Sequence, residues 1–557
     1  MNARQALMEG EAVAAADGFR RLVAQSPADT GARYWLASAL AASGDGTAAM
    51  AALEEARLLH AFLLAGKMGA ETRRLGQDGD YAAMIATKLY AAHHVAMASA
   101  VFGRAVAAGH TAQSGLLAYA LSLQHQGRAE EAIRVFRATL ELYPSPAVHQ
   151  FLLYPHFLVE NGPARYAAEA RAWADRWAPP GEAPAFANGP AEGRPLRIGY
   201  VSPSFAGSQV RQFITPILEN HDPEAVSVTL YPANAEGETG WPKHVAVRPI
   251  RHVVDPEAAA LIRSDRIDVL VDCWGHSAGS RLSMFALRAA PVQVAWINFV
   301  QTTGLKRMDY VLHADSMAAP GTQAFFTETV RSMGPVIITY RPHPDRPPTP
   351  APPAMERGQV TFGSYNHPAK LSDATVRAWS WILRERPKAR LVLKYRYFVD
   401  PVLQRATQAR FAAERVDPER IEFRGESAGA DYLASFAEID LALDPSPCPG
   451  GTTTCDALAM GVPVLTLAGD DFYARIGISG VLGAGAPELV AGCWEDYVAK
   501  AVALTDDLEG LARLRQKVRS GLETGPYADE AGFTRRAEAA FRQMFDDWRR
   551  TQDVRAA

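Results

Sequence analysis

IDLALDPSPCPGGTTTCDALAMGVPVLTL (439–467) reads as a buried strand, a tight turn, the opening of a helix and a second buried strand. The flanking runs IDLALD and VPVLTL are short, apolar and bounded by turn residues, the form taken by parallel strands covered on both faces. Between them Pro447, Pro449, Gly450 and Gly451 make the turn, and Thr452, Thr453 and Thr454 open the helix. A glycine pair followed by hydroxyl residues at a helix N-terminus offers an anion free backbone N–H groups, side-chain donors and the positive end of the helix dipole. The competing reading is that Thr452 or Thr453 simply caps the helix. No GK[ST] follows, so the segment is not a Walker loop. Asp456, about one turn in, suits ribose hydroxyls; its plainer role is a favourable charge at the helix start.

The same texture surrounds this segment. VTFGS, RLVLKY and IEFRG are further short strands alternating with helical stretches, and FGSYNHPAKLSD (362–373) follows the first of them. It supplies Lys370, with Asn366 and His367 nearby, at a strand end expected to face the same crevice as GGTTT. Upstream, LRIGYVS (196–202), VSVTLYP (226–232), IDVLVD (267–272) and VQVAWINF (292–299) form a second set, interleaved with helix-like segments such as EAAALIRSD (257–265). The predicted fold is therefore two doubly wound α/β lobes, 196–340 and 358–557, joined by a Pro-rich linker at 341–357. A long amphipathic helix, DEAGFTRRAEAAFRQMFDDWRR (529–550), closes the second lobe. Such folds place a ligand cleft at the carboxyl ends of their strands.

The first 178 residues read differently: rich in Ala and Leu and poor in strand signals. Gly10, Ala15, Phe19, Leu22 and Pro27 are matched 34 residues later by Gly44, Ala49, Leu53 and Ala56. Ala98, Phe102 and Ala105 are matched at the same offset by Ala132, Phe136 and Thr139, with Gly127 before them and Pro144 after. A helical solenoid of the tetratricopeptide (TPR) type is predicted, in which small residues let paired helices approach. Its groove would take an extended polypeptide. A Pro/Gly/Ala-rich stretch at 179–195 links this arm to the lobes.

Length and composition bound the function. A chain of 557 residues should hold three or four domains. A net charge of −4 gives no sign of a nucleic-acid or anionic-membrane partner. Cys273, Cys448, Cys455 and Cys493 are scattered without metal or disulfide spacing, which fits a reducing cytoplasm. The N-terminus has no signal-peptide pattern and no stretch suits a membrane span. A cytoplasmic protein is expected.

Helical repeats followed by LRIGYVS, then IDVLVDCWGHSAGSRLSMFALRAAPVQVAW, TTGLKRMDYVLHAD, FGSYNHPAKLS and PSPCPGGTTTCDALAMGVPVLTLAGDDFYARIGIS, resemble the O-linked N-acetylglucosamine transferase and SPINDLY family over nearly the whole chain. The resemblance implies a two-lobed glycosyltransferase of the GT-B type that inverts the anomeric centre without a metal or other cofactor. It also implies that Lys370 neutralises the leaving phosphate, Thr452 and Thr453 bind phosphate, Asp456 binds ribose and Cys448 lines the sugar pocket. His276 and Arg281 match positions usual in bacterial members, and Arg475 matches the family's arginine. The expected catalytic pair is Lys370 and His276. The expected donor-binding set is Asn366, His367, Tyr432, Cys448, Gly450, Gly451, Thr452, Thr453, Thr454, Asp456 and Arg475, with no metal ligands.

The chain also departs from the family. Where relatives carry an Asp and two His after YVS, this chain has Ser204, Ser208 and Gln212, none able to act as a base near neutral pH. YPGT becomes FVQT (299–302), Tyr432 replaces the histidine against the uracil ring, and Pro449 replaces an Asn. His276 is then the best remaining titratable group, or else a satisfied histidine after a strand. Asp265, Asp268 and Asp272 are further candidates. The expected function is transfer of a sugar to Ser or Thr of a protein held by the arm. A nonulosonic acid carried on cytidine monophosphate, passed to flagellin, is the first expectation; N-acetylglucosamine from its uridine diphosphate is the alternative. A non-catalytic scaffold with a degenerate nucleotide site is the rival of another class.

Overall fold

The small residues of the 34-residue pattern are where the helices of the arm meet. In a computed structural model of the protein, residues 3–25, 30–49, 51–52, 72–159, 161–178, 181, 184–206, 210–234, 238–298, 301–344 and 346–556 are described. The helices Ala3–Met8, Ala12–Gln25, Thr30–Ala42, Thr72–Ala91, Val95–Ala107, Gln113–His125 and Ala129–Leu142 each pack on the next described one. Ala15, Ala49, Ala98 and Ala132 are fully buried between them, as are Phe19, Phe102, Phe136 and Thr139. Without side chains beyond Cβ, the alanines let backbones approach while each phenylalanine fills the space left over. Gly10, Gly44 and Gly127 turn one helix into the next at φ of +87°, +86° and +80°, a region costly for any other residue. Leu22, counted in the same pattern, instead faces solvent. Pro27, Leu53 and Ala56 lie outside the described residues.

The chain divides into two compact units, and the first is not the arm alone. It comprises Met1–Pro144 together with Tyr365–Ser380 and Leu391–Glu426, whereas the sequence suggests an arm separable from both lobes. Asp400 ties these parts together. One carboxylate oxygen accepts the N–H groups of Ala96 and Met97 at 2.7 and 3.1 Å, at the start of helix Val95–Ala107. The other accepts those of Val402 and Leu403 at 2.8 and 3.3 Å, starting helix Pro401–Ala413. A single side chain thus caps two helices more than 300 residues apart in sequence.

The second unit comprises Ser145–Ser364, Trp381–Arg390 and Ser427–Ala557. Helices Pro146–Gln150 and Gly162–Trp177 open it. Its larger sheet is built from β1 (Leu196–Ser202), β2 (Val226–Pro232), β3 (Val245–Val247), β4 (Val269–Asp272), β5 (Val292–Ala295), β6 (Tyr310–His313) and β7 (Thr329–Ser332). All pairs are parallel, in the order β3-β2-β1-β4-β5-β6-β7, so the strand order reverses between β1 and β4. The second lobe contributes strands to both units: β8 (Thr361–Ser364), β9 (Arg390–Lys394), β10 (Ile421–Arg424), β11 (Leu441–Leu443), β12 (Val464–Leu467) and β13 (Val490–Ala491). Within the second unit β8, β11, β12 and β13 pair in that order, all parallel; within the first, β9 pairs with β10. The fold is that of a TPR solenoid followed by two Rossmann-like lobes. The closing helix spans Glu530–Ala556, and Phe533, Ala537, Phe541 and Phe545 on it are buried. No helix among the described residues is long and apolar enough to cross a membrane.

Candidate donor-binding site

β11 delivers Asp444 to the start of the turn, where it is buried and accepts the N–H of Gly450 at 2.7 Å. That bond folds the turn back over the strand end. Gly450 admits no side chain: a Cβ there would collide with the hydroxyls of Thr453 and Thr454. Helix Thr452–Ala459 then begins with Gly451 at its N-cap and no capping side chain. The capping role considered for Thr452 or Thr453 is therefore not what the structure has; both lie inside the first turn, beside the positive end of the helix dipole. Thr454 is buried, and its hydroxyl and that of Thr466 on β12 have no hydrogen-bond partner among the described residues.

Asp456 lies one turn along. Its Oδ1 accepts the hydroxyl of Tyr340 at 2.6 Å and its Oδ2 that of Tyr432 at 2.9 Å. Burial raises its pKa above the usual carboxylate value, and the two tyrosine hydroxyls oppose that rise. Tyr432, on helix Gly429–Ser435, packs edge-on to Phe436 with ring centroids 5.3 Å apart. Tyr340 escaped sequence reasoning because it stands at the edge of a Pro-rich stretch with no periodic signal.

The remaining candidates in this unit have their polar groups engaged. Cys448 is fully buried in an apolar cluster with Leu153, Phe157, Tyr166 and Ala170, its thiol 3.5 Å from the carbonyl of Phe157. Arg475 donates to the carbonyls of Ser316 and Gly469 at 2.8 and 3.1 Å. Arg281 pairs with Asp255 at 2.6 Å. His276 is buried, with Nε2 2.8 Å from the Thr303 carbonyl, Nδ1 3.4 Å from the Gln150 amide and its ring edge-on to Trp173. Burial pushes its pKa down to about 4, so the ring is neutral and a poor proton acceptor near neutral pH. Asp265 pairs with Arg248, and Asp268 is held by Arg194, Arg197 and Asn188, which outweigh burial and lower its pKa. Asp272 at the end of β4 accepts the N–H groups of Trp274 and Gly275, and burial pushes it up to about 7. Ser204 donates to Glu238 at 3.0 Å, Gln212 lies at the start of helix Val210–Asn220, and Ser208 falls outside the described residues.

Lys370, Asn366 and His367 belong to the first unit. Pro368–Lys370 is a single 3-10 turn whose N-cap is His367: Nδ1 of the ring accepts the Ala369 N–H at 3.0 Å. Lys370 donates from Nζ to Oδ1 of Asn366 at 3.2 Å. The turn thus fixes the backbone of Lys370 and the amide beside its ammonium group.

A sequence model described as glycosyl transferase family 41 matches residues 182–334 and 354–535. The chain belongs to that family. Among curated relatives, a probable UDP-N-acetylglucosamine–peptide N-acetylglucosaminyltransferase SPINDLY of Oryza sativa subsp. japonica is 34% identical over 371 residues, 65% of this chain and 40% of the relative. The similarly named SEC protein of Arabidopsis thaliana is 26% identical over 75% of this chain and 44% of its own length. The chain therefore spans about two fifths of the length of these relatives. A mutant of the Thermobaculum terrenum O-GlcNAc transferase matches in structure with a TM-score of 0.74 and 29% identity, covering 99% of this chain and 97% of that one.

Proposed function

We propose that this family 41 chain transfers a sugar from a nucleotide-activated donor to Ser or Thr hydroxyls of a protein, inverting the anomeric carbon without a metal ion. The segment 444–456 carries the proposal: a glycine with no room for a side chain, a helix start that no side chain caps, and an acid set by two tyrosine hydroxyls. The helix start and Thr452–Thr454 take the phosphates, Asp456 a ribose hydroxyl, and Lys370 the charge that grows on the leaving phosphate. With His276 a weak base, the acceptor hydroxyl loses its proton late, and the reaction leans on neutralising the leaving group.

The donor we favour is UDP-N-acetylglucosamine, because the relatives are named for it. The cytidine monophosphate–nonulosonic acid donor and the flagellin acceptor draw no support from them. The arm carries the acceptor polypeptide, and the four cysteines, which form no disulfide among the described residues, suit action in the cytoplasm.

Calorimetry with uridine and cytidine nucleotides, and intact mass of acceptor protein co-expressed with the chain, test this together. Tight uridine diphosphate binding and addition of one N-acetylhexosamine are expected. Nucleotide binding with no mass added from any donor would instead make the chain a scaffold. Lys370→Ala is expected to lower kcat on the order of a hundredfold, since its charge matters most as the phosphate leaves. A variant within a few-fold of the parent would remove Lys370 from the chemistry.

A further inference from the structure

Within the first unit, a chain of hydrogen bonds runs from the Lys370 turn into the arm, and its polarity is fixed at one end. The Ala369 N–H can only donate, so Nδ1 of His367 must accept and its proton sits on Nε2. That Nε2–H lies 3.0 Å from Nδ1 of His125, the last residue of helix Gln113–His125. His125 therefore also carries its proton on Nε2, which lies 3.2 Å from the hydroxyl of Tyr90 on helix Thr72–Ala91. Both rings must be neutral in this arrangement, because a second proton on either would set two N–H donors against each other. Burial, with Arg396 and His93 nearby, pushes His125 down to about 4; burial, His125, Lys370 and Arg396 hold His367 well below its usual value.

The rings are also held in place. Tyr397 stacks on His125 at 4.7 Å and meets His367 edge-on at 5.3 Å, and Tyr395 packs at 4.8 Å from His367. Glu426 is drawn to this side by its bond to Arg396. Gly127, two residues beyond His125 at φ +80°, lies against Ala369: a Cβ there would come 3.5 Å from its carbonyl oxygen and be strained in addition.

We propose that His125 of the arm is a positioning residue for Lys370, acting through the directional chain Ala369–His367–His125–Tyr90. The inference rests on the role given to Lys370 above. It makes the arm part of the chemical machinery as well as a carrier of acceptor, since two of the four residues in the chain, His125 and Tyr90, come from arm helices.

The test is a double-mutant cycle on the full chain with donor and acceptor. His125→Phe keeps a ring but leaves the Nε2–H of His367 without its acceptor; kcat is expected to fall about tenfold with the acceptor KM within about twofold. In a Lys370→Ala background the same change should cost less than about twofold, because the residue being positioned is gone. A loss of equal size in both backgrounds, or none in either, overturns the proposal. A Lys370→Ala enzyme as fast as the parent overturns the functional reading and this proposal with it, so the two failures are told apart. Should His125→Phe not fold, Tyr90→Phe, which removes only the terminal hydroxyl, is expected to show the same non-additivity at about threefold. Independently of activity, ¹⁵N NMR of the histidine rings at neutral pH should find both neutral with Nε2 protonated; the other tautomer, or a charged ring, overturns the chain.

Discussion

Asp456 shows how much of a candidate site residue's chemistry comes from side chains distant in sequence. Its carboxylate is pulled toward protonation by burial and back toward the charged form by Tyr340 and Tyr432. Tyr340→Phe removes one of the two opposing hydroxyls, so the pKa should rise further. A carboxyl whose folded pKa exceeds its unfolded value stabilises the fold fully below the unfolded pKa, and that contribution is lost as pH rises through the folded value. The variant should therefore cost about 1–3 kcal/mol at pH 7 and clearly less near pH 4, read as urea midpoints at the two pH values. An equal cost at both would mean that Tyr340 contributes packing alone. Asp456 and the glycine pair were legible in sequence because the motif is contiguous. Of the two tyrosines that hold Asp456, Tyr432 was singled out for a different role and Tyr340 not at all, since position 340 is 116 residues away and nothing local marks it.

Helices and strands were legible in proportion to their length and regularity. LRIGYVS and VSVTLYP coincide with β1 and β2, whereas β3, β6, β7 and β13, of two to four residues, were not singled out. Short edge strands such as β7, exposed or half-buried throughout, carry too few apolar residues to alternate visibly. The Pro-rich stretch read as a linker is anchored by its carbonyls: Arg515 and Arg519 of helix Leu508–Thr524 donate to those of Pro350 and Pro347. Asp400 gives the sharpest test at this level, because each of its oxygens serves one helix. Asp400→Ala should cost about 1–3 kcal/mol by uncapping both helices. Asp400→Asn, with one acceptor oxygen, should recover roughly half. Thermal melts give the totals, and amide exchange at Ala96, Met97, Val402 and Leu403 tells which helix Asn still caps. Asn behaving like the parent would show that the second oxygen contributes nothing.

Taken as a chain of domains, the sequence suggests that the arm can be removed without harm to the lobes. The structure places 365–380 and 391–426 in the same compact unit as the arm, with Val402 packed on the arm's hydrophobic cluster and Asp400 capping an arm helix. A chain lacking residues 1–144 should therefore melt well below the parent and lose nucleotide-dependent turnover. Hydrogen exchange should show 391–426 unprotected. A truncation that melts with the parent and keeps that segment protected would show that the lobe needs none of these contacts.

Periodicity and contiguous motifs sufficed to derive a helical repeat arm, two parallel α/β lobes and the turn and helix start at GGTTT, because each is a local pattern that the backbone repeats or concentrates in a few residues. The pairing of Asp456 with two tyrosines, the engagement of both His276 nitrogens, the double cap by Asp400 and the chain from Ala369 to Tyr90 left no local trace. Each includes at least one hydrogen bond between residues tens to hundreds apart, and bonds of that kind depend on where the folded backbone carries their partners, which no spacing along the chain encodes.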